Sequence, residues 1–196
     1  MTKPLGLVCL ASGGGRTVLN LQQAIQDGRV QATIEAVLVS RAEVAASSRC
    51  RDAGLTTLAP PTHGDLDDWI LEQLHDRQPD LVCLCGYLRL LPMPAWLHGR
   101  VINIHPALLP DFGGPGMYGH HVHEAVLAAG MNESGCTVHY VDERYDHGPT
   151  ILQRQCPVLP NDDAQPLAAR VFEEECLALP EAVQQIAEDR RAGQTD

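Results

Sequence analysis

The stretch LGLVCLASGGGRTV, residues 5–18, joins an apolar run of strand length to a glycine-rich turn and then to the start of a helical pattern. A strand that leads through such a turn into a helix is typical of the first unit of a parallel α/β sheet. The N–H groups at the start of the helix attract anions, and glycines let a phosphate approach the backbone. The stretch therefore predicts both a fold class and an anion-binding turn.

The same alternation continues through the first half of the chain. Strand-like runs at residues 34–39, 56–58, 81–85 and 101–104 are separated by helical patterns, of which residues 66–77 are the clearest. Strands joined by crossover helices form a parallel sheet. We therefore predict a Rossmann-like α/β fold, with an open, mainly parallel sheet and crossover helices on both of its faces.

The second half of the chain has a different order of elements. A helical pattern at residues 121–129 is followed by two strand-like runs, 136–141 and 150–158, and by a helical pattern at 164–191. Because only a turn separates the two strands, we expect them to pair as an antiparallel hairpin at one edge of the sheet. No linker or repeat divides the chain, so we expect residues 1–196 to form a single domain.

Composition argues against several classes of function. The 196 residues are 44% hydrophobic and carry a formal net charge of −11, without the basic stripe that a nucleic-acid partner needs. No apolar run is long enough to span a bilayer, and no secretory signal precedes the first strand. The seven cysteines are odd in number and irregular in spacing, as expected of reduced thiols. We expect a cytoplasmic protein, a monomer or homodimer, that acts on small molecules.

Two polar residues interrupt the apolar run in VINIHPALLP, residues 101–110. Asn103 and His105 are two positions apart, so in a strand both project from the same face. Ligands of open α/β sheets bind beyond the carboxyl ends of the strands, where this pair lies. Pro106 disfavours a helix, which keeps His105 extended or in a turn. The pair is therefore a candidate for catalysis.

Asp146 is the third catalytic candidate. It lies in VDERYDHGP, residues 141–149, between the strands of the predicted hairpin. A tight turn alone accounts for an Asp close to Gly148, whereas the functional interpretation is a carboxylate that orients His105 and keeps it charged. Together the three side chains suit acyl transfer between nitrogens, because an amide and a protonated imidazole donate to an oxyanion and a carboxylate accepts the amine proton.

The glycine turn leaves alternatives open. Val18 stands where a third glycine would complete G-x-G-x-x-G, while Ser40 and Arg41 after the second strand fit the 2′-phosphate of NADP. The alternatives are an NADP-dependent oxidoreductase, a nucleotide-binding protein without catalysis, and a tight turn with no ligand. We favour a phosphate site.

Three histidines, His120, His121 and His123, resemble a metal cluster at first sight. They lack the spacing of H-E-x-x-H or H-x-x-E-H and have no cysteine nearby. We interpret them as polar residues at the start of a helix and expect no metal.

Three long motifs resemble those of a known family. NIHPALLP at residues 103–110, CGYLRLL at 85–91 and GCTVHYVDERYDHGPTIL at 135–152 are similar to segments of the folate-dependent formyltransferases. The resemblance covers nearly the whole chain. It implies that the amine of glycinamide ribonucleotide takes a formyl group from 10-formyltetrahydrofolate, a step of purine biosynthesis.

The resemblance also implies a role for each matching residue. Asn103 and His105 would stabilise the tetrahedral intermediate, while Asp146 would support His105 and help to remove the amine proton. The acceptor substrate would contact Gly13, Gly14, Gly15, Arg16, Thr17 and Glu175. The folate would contact Leu88, Arg89, Leu90, Leu91, Asp142, Glu143, Arg144 and Tyr145.

The acceptor side departs from the family pattern. Arg16 and Thr17 replace the Ser-Asn pair of the family's phosphate turn, and Phe172 stands where a polar phosphate contact is usual. A sugar-nucleotide amine therefore stays open as the acceptor. A hydrolase of formyltetrahydrofolate and a methionyl-tRNA formyltransferase are disfavoured, because the chain begins at its first strand and ends after one helix.

Overall fold

A computed structural model describes residues 3–193, and its order of elements follows the predicted alternation. The strands are β1 (Leu5–Ala11), β2 (Ala32–Val39), β3 (Thr57–Leu58), β4 (Leu81–Leu84), β5 (Val101–His105), β6 (Glu133–Tyr140) and β7 (Thr150–Pro157). The helices are α1 (Arg16–Gln26), α2 (Ala45–Asp52), α3 (Leu66–Arg77), α4 (His120–Ala128) and α5 (Ala164–Ala192), with a 3₁₀ turn at Ala95–Leu97.

The seven strands form one sheet in the order β3-β2-β1-β4-β5-β6-β7. β1 to β5 run parallel, whereas β6 is antiparallel to β5 and β7 is antiparallel to β6. The predicted Rossmann-like sheet with an antiparallel edge hairpin is thus confirmed. The chain leaves β1 toward β2 and β3 and then returns to β4 on the other side, so the strand order reverses between β1 and β4. Such a reversal opens a crevice at the carboxyl ends of the strands.

Two apolar layers enclose the sheet, as β1 illustrates. Leu7 and Cys9 face the layer formed with α1, α2, α4 and α5, while Val8 and Leu10 face the layer formed with α3. All four side chains are fully buried. A parallel strand covered on both faces has no polar positions, which explains the continuous apolar run in its sequence.

The seven cysteines are free thiols, six of them buried and Cys176 partly exposed. Cys9 and Cys83 are register partners on β1 and β4, where they serve as small apolar side chains of the core. Within residues 3–193, no helix combines the length and apolarity needed to cross a bilayer.

Helix α3 is bounded by local signals that its sequence displays. The Asp65 carboxylate accepts hydrogen bonds from the N–H groups of Asp67 and Asp68, which satisfies two of the free donors of the first turn. Ile70 and Leu74 are fully buried against the sheet. The helix is therefore held by its cap and by its apolar stripe.

Replacing Leu74 with Ala tests that packing. We expect Leu74→Ala to lower the free energy of unfolding by about 2–5 kcal/mol, because it leaves a cavity between α3 and the sheet. Glu72→Ala, an exposed position on the same helix, should change it by less than about 0.5 kcal/mol. Urea unfolding followed by circular dichroism measures both, and equal effects would contradict the placement of α3.

Candidate active site

A cleft of about 520 Å³ lies at the carboxyl ends of β1, β4 and β5. Residues 13–17, 84–91 and 103–106 line it from the sheet, and residues 114–120 close it from the loop before α4. The crevice expected where the strand order reverses is therefore present as a cavity. Its size is that of a site for a small organic ligand.

The Asp146 carboxylate is the centre of the polar group in this cleft. Its Oδ1 lies 3.4 Å from Nδ1 of His105, 3.4 Å from the amide nitrogen of Asn103 and 3.7 Å from Nε2 of His139. Its Oδ2 accepts a hydrogen bond of 2.9 Å from the N–H of Gly114. The structure thus brings the three catalytic candidates together and adds His139 to them.

Strand register accounts for this meeting. Asn103 of β5 faces His139 of β6, and the Asn103 amide nitrogen lies 3.2 Å from Nε2 of that imidazole. Nδ1 of His139 donates to the Tyr140 carbonyl at 2.8 Å, because a carbonyl oxygen only accepts. The amide nitrogen of Asn103 is a donor, so Nε2 of His139 accepts from it. The pairing of β6 with β5 therefore orients the Asn103 side chain.

The β6–β7 turn presents Asp146 in an unusual conformation. Asp146 has a φ of +53°, in the left-handed region where Asp is tolerated better than most residues. Gly148 follows it so closely against the Tyr140 carbonyl oxygen that a Cβ there would overlap that atom. Within the turn, the Asp142 carboxylate contacts Nδ1 of His147 at 2.7 Å. The turn is a tight, internally bonded loop that projects one carboxylate into the cleft.

Burial dominates the electrostatics of His105. Its side chain is 4% exposed, and this burial lowers the pKa of the imidazole below its ordinary value. The Asp146 charge and the Phe112 carbonyl, which lies 2.8 Å from Nε2, oppose the shift without reversing it. Asp146 thus favours the charged imidazole as the sequence predicts, but the net shift is downward. The attraction follows from the two residue types, whereas the loss of hydration depends on the depth of burial.

Asp146 itself stays ionised. Burial raises the pKa of its carboxyl, but the contacts with His139, His105 and the N–H of Gly114 outweigh burial and leave that pKa below its ordinary value. A carboxylate with two imidazoles and an amide around it is a proton acceptor that can also orient its neighbours.

The glycine turn forms the opposite end of the cleft. Gly15 precedes α1 with a φ of +74°, and no side chain caps the helix start. Arg49 of α2 donates to the Gly14 carbonyl at 3.0 Å, which supports the turn from behind. The guanidinium of Arg16 lies 4.0 Å above the centre of the Phe172 ring. The helix N-terminus and a cation held on an aromatic face together favour an anion here.

Glu175 follows Phe172 by almost one turn on α5 and also lines the cleft. Burial raises the pKa of its carboxyl to about 7, and the Arg16 charge opposes the shift. Arg16, Phe172 and Glu175 therefore line the same end of the cleft as the glycine turn.

All but two of the predicted site residues line this one cleft. They are Gly13, Gly14, Gly15, Arg16, Thr17, Leu88, Arg89, Leu90, Leu91, Asn103, His105, Arg144, Tyr145, Asp146 and Glu175. Asp142 and Glu143 are not among the described residues that line it. Asp142 is engaged within its own turn, and Glu143 lies 3.2 Å from His98 and lines a neighbouring pocket.

Comparison with known protein families identifies the family of this chain. Residues 6–183 match the family model described as Formyl transferase. The chain belongs to the formyl transferase family. The predicted resemblance is confirmed.

Individual members of the formyl transferase family align along most of the chain. The Escherichia coli (strain K12) phosphoribosylglycinamide formyltransferase is 32% identical, with 95% of this chain and 89% of that protein covered. The chloroplastic phosphoribosylglycinamide formyltransferase of Vigna unguiculata is 36% identical, and the chain spans 61% of its length. The crystal structure of glycinamide ribonucleotide transformylase 1 from Symbiobacterium toebii superposes with a TM-score of 0.87 at 34% identity, over 97% of this chain and 91% of that one.

His139 and Phe172 line the cleft beside the predicted site residues, although the sequence indicated Phe172 only as a departure from the family pattern and His139 only as a core or supporting residue. His139 lies two positions after Thr137 on the same face of β6, and both are buried. Polar residues at alternate positions of a buried strand are a signal that the face meets a polar site. Phe172 gave no such signal, since its contact with Arg16 depends on how α5 packs beside α1.

The histidines at the start of α4 do not gather into a metal site. Among residues 3–193, no group of three or more His, Cys, Asp or Glu side chains is arranged to hold a metal ion. His123 is buried, and its Nδ1 has no hydrogen-bond partner within the described part of the chain. Burial, with the charges of His120 and His105, lowers the pKa of His123 to about 4.

This buried imidazole predicts a loss of stability in acid. The ordinary pKa of about 6.5 in the unfolded chain exceeds the folded value, so the unfolded chain binds the proton more tightly and stability falls as the pH drops from 6.5 toward 4. At pH 5 the cost is about 2 kcal/mol. The unaltered protein should lose unfolding free energy between pH 7 and pH 5. In His123→Leu we expect this loss to be smaller by about that amount.

The matched control is His121→Gln, which removes an exposed imidazole from the same helix turn. This control should leave the difference between pH 7 and pH 5 as in the unaltered protein. Chemical unfolding at the two pH values measures both variants. A His123→Leu protein with the original pH dependence would contradict the burial of a neutral imidazole.

Proposed function

We propose that the protein transfers the formyl group of 10-formyltetrahydrofolate to the amine of glycinamide ribonucleotide. The observation that carries the proposal is the meeting of Asn103, His105 and Asp146 in a cleft whose other end is a glycine turn with a cation. Such a cleft accommodates a phosphorylated amine with its reactive nitrogen near the carboxylate. The names of the relatives support the same acceptor.

Asn103 and His105 stabilise the negative charge that develops on the formyl oxygen. When the amine attacks the formyl carbon, that oxygen becomes negative, and the side-chain N–H of Asn103 and Nε2–H of His105 donate to it. In the structure Nε2 of His105 donates to the Phe112 carbonyl at 2.8 Å. The formyl oxygen therefore takes the place of that carbonyl when the substrate is bound.

Asp146 and His105 move the proton. The attacking amine loses a proton to the Asp146 carboxylate, directly or through water, and the carboxylate passes it to Nδ1 of His105, 3.4 Å away. The imidazolium then gives the proton on Nε2 to the departing folate nitrogen, as the bond from that nitrogen to the formyl carbon breaks. A buried His105 with a lowered pKa suits this step, because its charged form gives up a proton readily.

The acceptor binds at the glycine turn. The N–H groups at the start of α1 and the Arg16 guanidinium hold its phosphate. Glu175, with a pKa of about 7, lies on the α5 side of the same region and binds the amino end as a hydrogen-bond acceptor.

The folate lies on the other side of the cleft. Residues 88–91 and the β6–β7 turn supply its walls, with Leu88, Leu90 and Tyr145 exposed there as an apolar surface. An aromatic heterocycle fits such a surface better than a charged group does. The free thiols of the core suit a reducing compartment, and we place the protein in the cytoplasm.

The Arg16–Phe172 pair favours a second class of acceptor, a sugar-nucleotide amine. This pair puts an extra cation at the phosphate end, and a diphosphate carries more negative charge than a monophosphate. The second acceptor would use the same three catalytic residues.

An absorbance assay of 10-formyltetrahydrofolate deformylation tests the proposed reaction. We expect turnover that depends on glycinamide ribonucleotide, and we expect Asp146→Asn to lower kcat by about 10²–10³, because the proton acceptor is lost. The matched control is Asp52→Asn, an exposed carboxylate on α2. Turnover without the nucleotide would indicate a hydrolase. Turnover only with a sugar-nucleotide amine would show that this amine, and not glycinamide ribonucleotide, is the acceptor.

A variant of Arg16 tests the phosphate end. We expect Arg16→Met to raise the KM for glycinamide ribonucleotide about tenfold and to leave the KM for the folate unchanged, because one charge-assisted contact is lost. Arg51→Met, an exposed cation on α2, should change neither KM. Steady-state kinetics with each substrate varied in turn measures both, and an unchanged KM for the nucleotide would remove Arg16 from the site.

A further inference from the structure

Tyr145 joins two segments of the cleft that are far apart in sequence. Its hydroxyl oxygen accepts a hydrogen bond of 3.0 Å from the N–H of Leu90, 55 residues away. Leu90 belongs to the segment after β4, and Tyr145 belongs to the turn between β6 and β7. The bond therefore ties the β6–β7 turn to the segment that follows β4.

The same two segments separate two cavities. The cleft of about 520 Å³ and a neighbouring pocket of about 600 Å³ share residues 88–91 and Tyr145 in their linings. The Tyr145 side chain is thus part of the wall between them, and its hydroxyl closes that wall against the Leu90 backbone. Loss of the bond would let the turn move toward either cavity.

Hydrogen-bond lengths indicate what holds Asp146 in place. The two backbone contacts of this turn, from Gly114 to Asp146 and from Leu90 to Tyr145, are 2.9 and 3.0 Å, ordinary lengths for an N–H donor. The contacts of Asp146 with His105 and Asn103 are longer, both 3.4 Å. The shortest contact of the carboxylate is thus with a backbone N–H, and the second backbone contact holds the neighbouring residue, Tyr145.

We propose that Tyr145 is a positioning residue for formyl transfer, whose hydroxyl holds the adjacent Asp146 carboxylate at its working distance from His105. This inference rests on the proposed function for its kinetic meaning. The left-handed φ of Asp146 is costly for a residue with a side chain, so the contacts that hold this turn matter, and the Tyr145–Leu90 bond is the one that ties it to another segment of the cleft. A displacement of about 1 Å at a catalytic group can cost up to about 10² in rate.

Tyr145→Phe tests the inference, because it keeps the ring that lines the cleft and removes the hydroxyl. We expect kcat to fall about tenfold and the KM for the folate to change less than about threefold, since the effect passes through Asp146. The pKa of His105, followed by NMR titration of the free protein, should fall by about 0.5 unit as the carboxylate moves away.

Tyr118→Phe is the matched control. It removes a phenol hydroxyl from the loop side of the same cleft, where the Tyr118 ring packs edge-on against His121 at 5.5 Å. It should leave the pKa of His105 unchanged. In an Asp146→Asn background, Tyr145→Phe should likewise have no further effect on that pKa or on kcat, since residues that act through one group are not additive.

Three outcomes would overturn the inference. They are an unchanged kcat with an unchanged pKa of His105, a higher KM for the folate with kcat and that pKa unchanged, and a full effect of Tyr145→Phe in the Asp146→Asn background. Failure of the proposed function would look different, because the unaltered protein would then not transfer formyl to glycinamide ribonucleotide. The NMR titration would still decide, without any turnover, whether Tyr145 positions Asp146.

Discussion

A buried carboxylate is the constraint on which the rest of the site depends. The Asp146 side chain is only 9% exposed, and an ionised group out of water is stable only where donors replace its hydration. The N–H of Gly114 and the side-chain amide of Asn103 donate to it, while the imidazoles of His105 and His139 lie 3.4 and 3.7 Å from its Oδ1. Since they come from β5, β6 and the loop before α4, the sheet and the loop must both be in place.

The two ends of the cleft are built in different ways. The end at the glycine turn is largely local, because the turn after β1 and the start of α1 together offer free N–H groups to an anion. The end that holds Asp146 is assembled from segments more than 30 residues apart, which meet through antiparallel register. Changes in the glycine turn and on α5 can therefore leave the groups around Asp146 in place.

The predictions that were confirmed depend on local pattern. Apolar runs bounded by turn residues identified the parallel strands, and the spacing of Asn103 and His105 placed both on one face before any contact was known. Asp146 favours the charged form of His105 as expected, but burial outweighs it and the pKa of His105 is lowered. Attraction between His105 and Asp146 is visible in the sequence as a pair of residue types, but the depth of burial that outweighs it is a property of the packed protein.

The sequence by itself determined the order of strands and helices along the chain, the glycine turn after β1, the three catalytic candidates and the family to which they point. Only the tertiary structure decided which groups surround Asp146 and that the Arg16 guanidinium packs on the Phe172 ring. It also decided that Asp142 and Glu143 are not among the described residues that line the cleft. The reason is physical. Periodicity and turn chemistry act over a few residues and can be inferred from neighbours in the chain, whereas burial, register and contact between distant segments exist only after the sheet has closed around its core.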